Sequence, residues 1–287
     1  MGLGGEIKER GGGDAGTSAT TSDAEIARNR HHIYGTGHLL ISMIIYGINP
    51  VLEALQSEDS APDRIWITRG TSNPRLQKII EKAQSRDIPV RFESARVVAN
   101  KASTSHHQEV VAEIASIGYT DEETLLEAAP ALLLLVDGVE DPRNLGALLR
   151  TAEATGVEGV FLPNRRSCAI TGSVIKSSAG AALHLKISRI GNVVQTLENL
   201  KKRGYWVVGL DAQGKDGLHQ INVSLPLVVV VGGEHQGVRR LVREHCDFLI
   251  SLPMKGQVSS LNLSVAAGVL LYQILLRREE TEAQTTD

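Results

Sequence analysis

The chain has no apolar run near the roughly 20 residues that a bilayer span requires; residues 39–45, the longest such run near the start, are interrupted by Ser42. Glu6, Asp14, Asp23 and Glu25 break up the N-terminal stretch, so no secretory signal is expected. There are only two cysteines, Cys168 and Cys246, and no CxxC spacing. That argues against a disulfide framework or a thiolate zinc site, and fits a reduced, cytoplasmic protein whose thiols act as small apolar fillers. His106 and His107 have no further His or Cys at ligand spacing, so no metal is expected. A P-loop is missing, and Gly214, Lys215 and Gly217 do not form a GxGxxG that opens a helix after a strand.

An excess of basic charge is missing as well: 30 Lys and Arg face 33 Asp and Glu, a net charge of -3. Phosphate backbones are normally met by a basic surface, so any nucleic-acid footprint has to be a local patch. Residues 46–119 do not carry it by composition, since nine basic residues there are matched by nine acidic ones.

At 287 residues and 42% hydrophobic content, the chain can bury a core in each of two modest domains. Residues 1–42, rich in Gly, Ser, Thr and charge, are expected to form a disordered tail. Residues 43–118 read as a small α/β domain: a turn and short helix at 46–55, a strand at 64–68, a helix at 73–86 and a strand at 89–92. An exposed turn at 106–109 then feeds an apolar strand. An acidic linker, 119–130, ends at Pro130, with one or two helical turns within 123–129.

From 131 to 287 strands and helices alternate. Strands are expected at 131–136, 159–162, 184–187, 206–210, 227–231 and 248–252, and helices at 144–155, 171–179, 192–203, 238–245 and 261–277. Unbroken apolar strands such as 227–231 are what a parallel sheet covered on both faces requires, so a doubly wound α/β layer follows. The last helix carries Leu263, Ala266, Ala267, Leu270, Leu271 and Ile274 at helical spacing, as a core-facing stripe or a dimer contact.

Three motifs place small and amide-bearing residues where backbone would bind a ligand. They are Asn144 with Gly146 and Arg150; Gly232, Gly233, Glu234 and Gly237; and Pro253 and Met254 followed by Ser259, Ser260, Leu261, Asn262, Leu263 and Ser264. Each is weak alone, but their order and spacing resemble the SpoU (TrmH) family of RNA ribose 2'-O-methyltransferases. The likeness runs from about Tyr46 into the last helix.

The resemblance implies a SPOUT-type parallel sheet with a trefoil knot, preceded by a small RNA-binding domain. It also implies S-adenosylmethionine as methyl donor and a homodimer. The extra domain favours the branch that methylates a guanosine of large-subunit (23S) ribosomal RNA. A transfer-RNA methyltransferase and a non-enzymatic RNA-binding member are the alternatives.

By the same resemblance Gly232, Leu252 and Leu261 line the donor pocket, and Asn144, Arg150, Glu234, Ser260 and Asn262 form the catalytic set. Gly232 and Gly233 after an apolar strand lie at the carboxyl end of the sheet, the usual ligand edge of open α/β folds, although a tight turn would also call for glycine. Asn144 could equally cap its helix, Arg150 pair with Glu153, Ser260 and Asn262 cap the last helix, and Glu234 sit near a helix's positive end. A guanidinium stays protonated in proteins, so Arg150 is better suited to clamp phosphate and stabilise alkoxide charge than to act as a base. The family commonly has glycine after the His-Gln pair; Glu109 stands there, which speaks against RNA contact by this turn.

Overall fold

The chain forms two sheets whose strands differ in cover: each strand of the first half carries half-buried or exposed positions, whereas the central strands of the second are buried throughout. The computed structural model describes residues 42–286 apart from 235, 236 and 259. The tail expected over 1–42 therefore lies outside the described residues, except for Ser42, which opens a strand.

The first half contains β1 (Ser42–Tyr46), α1 (Ile48–Ala54), β2 (Pro62–Thr68), α2 (Pro74–Gln84), β3 (Val90–Glu93), α3 (Ala95–Ala102) and β4 (Val110–Ala115). Its sheet runs β1-β4-β2-β3, with β4 antiparallel to both neighbours and β2 parallel to β3. Asn73 caps α2 by accepting from Arg75 N at 3.0 Å, and Pro74 takes the first helical position. The sequence does not announce β1 or α3. The first depends on its partner β4, distant in the chain; the second contains Val97 and Val98, poor helix formers that burial of Val98 and Ala102 beside Trp66 and Val111 overrides.

The second half follows α4 (Glu122–Glu127), which Asp121 caps through Glu123 N and Thr124 N within the expected linker. It then runs β5 (Leu132–Asp137), α5 (Pro142–Ala154), β6 (Gly159–Pro163), α6 (Gly172–Ser177), β7 (Ile187–Ile190), α7 (Val193–Lys202), β8 (Trp206–Leu210), β9 (Leu227–Gly232), α8 (Arg240–Glu244), β10 (Phe248–Ile250) and α9 (Leu263–Thr286). Six strands in the order β10-β8-β9-β5-β6-β7 pair in parallel throughout. Every residue of β5, β6 and β9 is buried. Each such Leu or Val side chain contributes about 1.5–3 kcal/mol, which is why these strands take the centre.

Two expected boundaries shift. The strand expected at 184–187 begins only at Ile187, because residues 181–183 form a 3-10 turn entered through Gly180 at φ 101°. The last helix continues past residue 277 to Thr286 on polar residues that favour helix.

The turn at 106–109 is exposed at His106 and Gln108, as expected, and departs from that expectation only at His107. His107 is buried; its Nδ1 accepts from Glu109 N at 3.1 Å, and burial lowers its pKa below the ordinary histidine value. Gln108 Oε1 accepts from Ile48 N at 3.1 Å and from Lys176 Nζ of α6. The Glu109 carboxylate is engaged by the Thr71 hydroxyl at 2.9 Å. Gln108 therefore ties α1 of the first half to α6 of the second.

Candidate functional site

The carboxyl ends of β8, β9 and β10 open onto a cavity of about 510 Å³ that the start of α9 closes on one side. Gly232, Leu252 and Leu261, the three expected donor-pocket residues, all line it, together with Glu234, Ser260 and Asn262. A side chain at residue 232 has no room: its Cβ would strike the Gly237 carbonyl and Val238 N. At residue 233 the obstacle is the Gly138 carbonyl. Gly237 N donates to Gly233 O at 3.0 Å with Gly237 at φ 59°, so the turn after β9 is drawn tight against the cavity. Close backbone approach and a tight turn are the same feature here.

Asn144 is not a helix cap. Asp141 caps α5 by accepting from Arg143 N at 2.8 Å, and Pro142 occupies the first turn. The Asn144 amide is thereby free to donate to Glu234 Oε1, while its Oδ1 accepts from Asn262 Nδ2 at 3.0 Å. Asn262 Oδ1 in turn accepts from Ser264 N at 2.9 Å and Ser264 Oγ at 2.6 Å, the geometry of a cap on α9. Asn262 thus caps α9 and bonds Asn144 at once. The chain of Glu234, Asn144 and Asn262 links one residue from each motif. Ser260 lines the cavity without a hydrogen bond among the described residues; Ser259 and residues 235 and 236 lie outside them.

Arg150 lies elsewhere. It is exposed on α5, in a separate depression of about 470 Å³ shared with Asn49, Glu53, Glu153 and His184. It forms neither the ion pair with Glu153 nor any other hydrogen bond or ion pair among the described residues, whereas Glu53 is 3.1 Å from His184 Nε2.

One ion pair lining the depression beside the cavity, buried on its acidic side, has no counterpart in the motif reading. Asp137, 1% exposed, ends β5 in register with Gly232 and accepts from Arg239 Nε at 2.9 Å and Nη2 at 2.6 Å. These bonds raise the Arg239 pKa above the ordinary arginine value, outweighing its partial burial. The signal in the sequence was an acid closing an all-apolar strand, a pattern that Asp211 after β8 repeats with Arg243 at 3.4 Å.

The cavity suits the donor that the motifs imply. Its volume falls within the roughly 300–1,000 Å³ of small-molecule sites, and main chain at Gly232 and Gly233 can meet a ligand directly. Leu261 and Met254 stand in it 44% and 39% exposed, apolar surface of the kind a flat ring would cover. Among the described residues, no group of three or more His, Cys, Asp or Glu could hold a metal ion.

Two family models match the chain. Residues 131–272 match the family model described as SpoU rRNA Methylase family, and residues 44–120 match RNA 2'-O ribose methyltransferase substrate binding. The 23S rRNA (guanosine-2'-O-)-methyltransferase RlmB of Pseudomonas aeruginosa is 42% identical over 243 residues, 83% of this chain and 98% of its own. YacO of Bacillus subtilis, named for the TrmH family of tRNA/rRNA methyltransferases, is 40% identical over 239 residues, 82% of this chain and 95% of its own. Among solved structures, an RNA 2'-O ribose methyltransferase superposes with a TM-score of 0.68 at 25% identity, covering 83% of this chain and 89% of that one. The Streptomyces viridochromogenes SpoU methyltransferase AviRb, in complex with AdoMet, shares the fold with a TM-score of 0.70 at 20% identity, covering 83% and 91%.

Proposed function

We propose that this chain, which belongs to the SpoU rRNA methylase family, transfers a methyl group from S-adenosylmethionine to a ribose 2'-hydroxyl of RNA, at a guanosine of 23S ribosomal RNA. The observation that carries this reading is the cavity at the sheet's carboxyl edge, where the second and third motifs meet and the first is tied to both through Asn144. Gly232, Leu252 and Leu261 would hold the donor through main-chain groups and apolar walls. The donor brings a methyl on a sulfonium whose departing sulfur becomes neutral.

The protein's own part is then alignment. In the transfer an O–C bond forms as the C–S bond breaks, and the hydroxyl proton leaves to solvent. Fixing the hydroxyl in line can lower the barrier by roughly 7–11 kcal/mol at best. Glu234, Asn144 and Asn262 form a hydrogen-bonded brace that sets the cavity wall, and Ser260 is free to bond the incoming ribose. Arg150, outside the cavity, is assigned to an RNA phosphate. Residues 43–118 are assigned to capturing RNA, 119–130 to the linker and 131–287 to the methyltransferase domain.

Purified protein incubated with labelled donor and unmodified ribosomal RNA is expected to incorporate label into the large-subunit species. RNA binding without incorporation would remove the enzyme reading, and label in transfer RNA alone would move the substrate.

The homodimer is supported by α9, whose outer face exposes Val265, Val269, Tyr272 and Leu276 while Ala267, Leu270, Leu271 and Ile274 fill the core. A helix apolar on both faces calls for cover on both. Sedimentation at micromolar concentration is expected to give about twice the 30.9 kDa chain mass; a monomer there would leave the outer face unexplained. The knot is supported by the loop between β8 and β9, bonded to β10 through Asp216 and Leu249 N at 2.7 Å and to α9 through Val223 O and Arg278 Nε at 2.7 Å. No helix among the described residues is long and apolar enough to cross a membrane, and with ribosomal RNA as substrate we assign the cytoplasm.

A further inference from the structure

A groove runs from the donor cavity across the sheet edge. The cavity and a neighbouring depression of about 410 Å³ share Gly233, Glu234 and Gly237. That depression shares Arg166 and Arg239 with a cleft of about 690 Å³ between the loop after β6, the start of α7 and α8. The charge changes sign along it. Glu140, Asp141 and Glu234 line the middle, where phosphate is disfavoured and sugar or base hydroxyl and amino groups find acceptors. Five arginines line the far cleft with no acid among its lining residues: Arg165, Arg166, Arg239, Arg240 and Arg243.

Three of the five are already engaged: Arg239 with Asp137, Arg243 with Asp211, and Arg240 with Glu244 at 2.6 Å. Arg165 and Arg166 are exposed and make no hydrogen bond or ion pair among the described residues. Arg166 is held at φ 56°, a left-handed conformation that a long side chain rarely takes without a local reason. With net charge -3 overall and a small domain neutral by composition, this cleft is a local concentration of base of the sort a phosphate backbone needs.

Resting on the methyltransferase reading, we infer that the cleft binds backbone phosphates of the RNA strand adjoining the target nucleotide, with Arg165 and Arg166 gripping them. The target nucleoside then lies over the acidic middle of the groove, and its neighbours' phosphates are held one step away from the donor. Guanidinium forks suit phosphate oxygens, and single-stranded RNA can follow such a groove.

The test uses the full chain carrying Arg165→Ala with Arg166→Gly, glycine being at ease at that φ. RNA affinity is titrated against salt, and donor affinity is measured by calorimetry. The expected result is RNA binding weaker by roughly tenfold or more. The slope of log K against log salt should become shallower by about 0.7 for each phosphate that is no longer neutralised. Donor binding should stay unchanged. Wild-type RNA affinity and an unchanged salt slope in the variant overturn the inference. If the double variant fails to fold, Arg165→Gln alone is read by the same slope, with a change of about 0.7 expected. Failure of the wild-type protein to methylate any RNA would instead strike the function proposed above, a separate readout from the variant's RNA slope.

Discussion

Arg150→Ala is expected to lower kcat by about 10²–10³ while the calorimetric affinity for S-adenosylmethionine stays at the wild-type value. The separation follows from position. Arg150 makes no hydrogen bond or ion pair among the described residues and lies in a depression apart from the donor cavity, so its truncation breaks nothing inside the fold. What disappears is a cation available to RNA or to charge developing on the ribose oxygen. Arg150→Lys should recover part of the rate, since an ammonium keeps the charge without the planar fork. Full turnover in the alanine variant would withdraw Arg150 from catalysis. A fall in donor affinity would mean that the depression and the cavity are mechanically coupled.

Arg239→Ala should be the most damaging change to stability at the site. Asp137 is 1% exposed, and removal of its bidentate partner leaves a carboxylate buried without a cation. Such a break costs 3–5 kcal/mol in sealed interiors, and the lower end, about 3 kcal/mol, applies because the Arg239 side chain is 38% exposed. A chain of this size would melt roughly 6–12 °C lower. Asp137 lies in register with Gly232 of the cavity floor, so donor affinity should fall alongside. Thermal melts and calorimetry read the two effects independently; a melting point within about 1 °C of wild type would show that water reaches Asp137 freely.

What could be read from the sequence was where the main chain leaves no room for side chains. Gly232 and the segment from Ser260 to Asn262 are legible because a backbone-lined pocket excludes side chains at fixed points, and small residues leave a pattern. The apolar strands at 132–137 and 227–232 are legible for a related reason, since both faces are covered. Asn144 was ambiguous between a helix cap and a place in the catalytic set, although Asp141-Pro142 carries the cap signal three residues earlier and releases Asn144 for Glu234 and Asn262.

The rest depends on partners that are remote in sequence. Residues 42–46 become a strand only when β4 arrives beside them, and the buried charge of Asp137 makes sense only beside Arg239. Burial of His107 is similarly invisible to local pattern, because it comes from packing of the turn rather than from the polarity of its residues.

The brace joining Glu234, Asn144 and Asn262 also has a bearing on biosynthesis. Its three members are translated in the order Asn144, Glu234 and Asn262, with more than a hundred residues between the first and the last. A nascent polypeptide that stops short of Asn262 would have the glycine floor but only half the wall, which closes when the helix beginning at Leu263 docks.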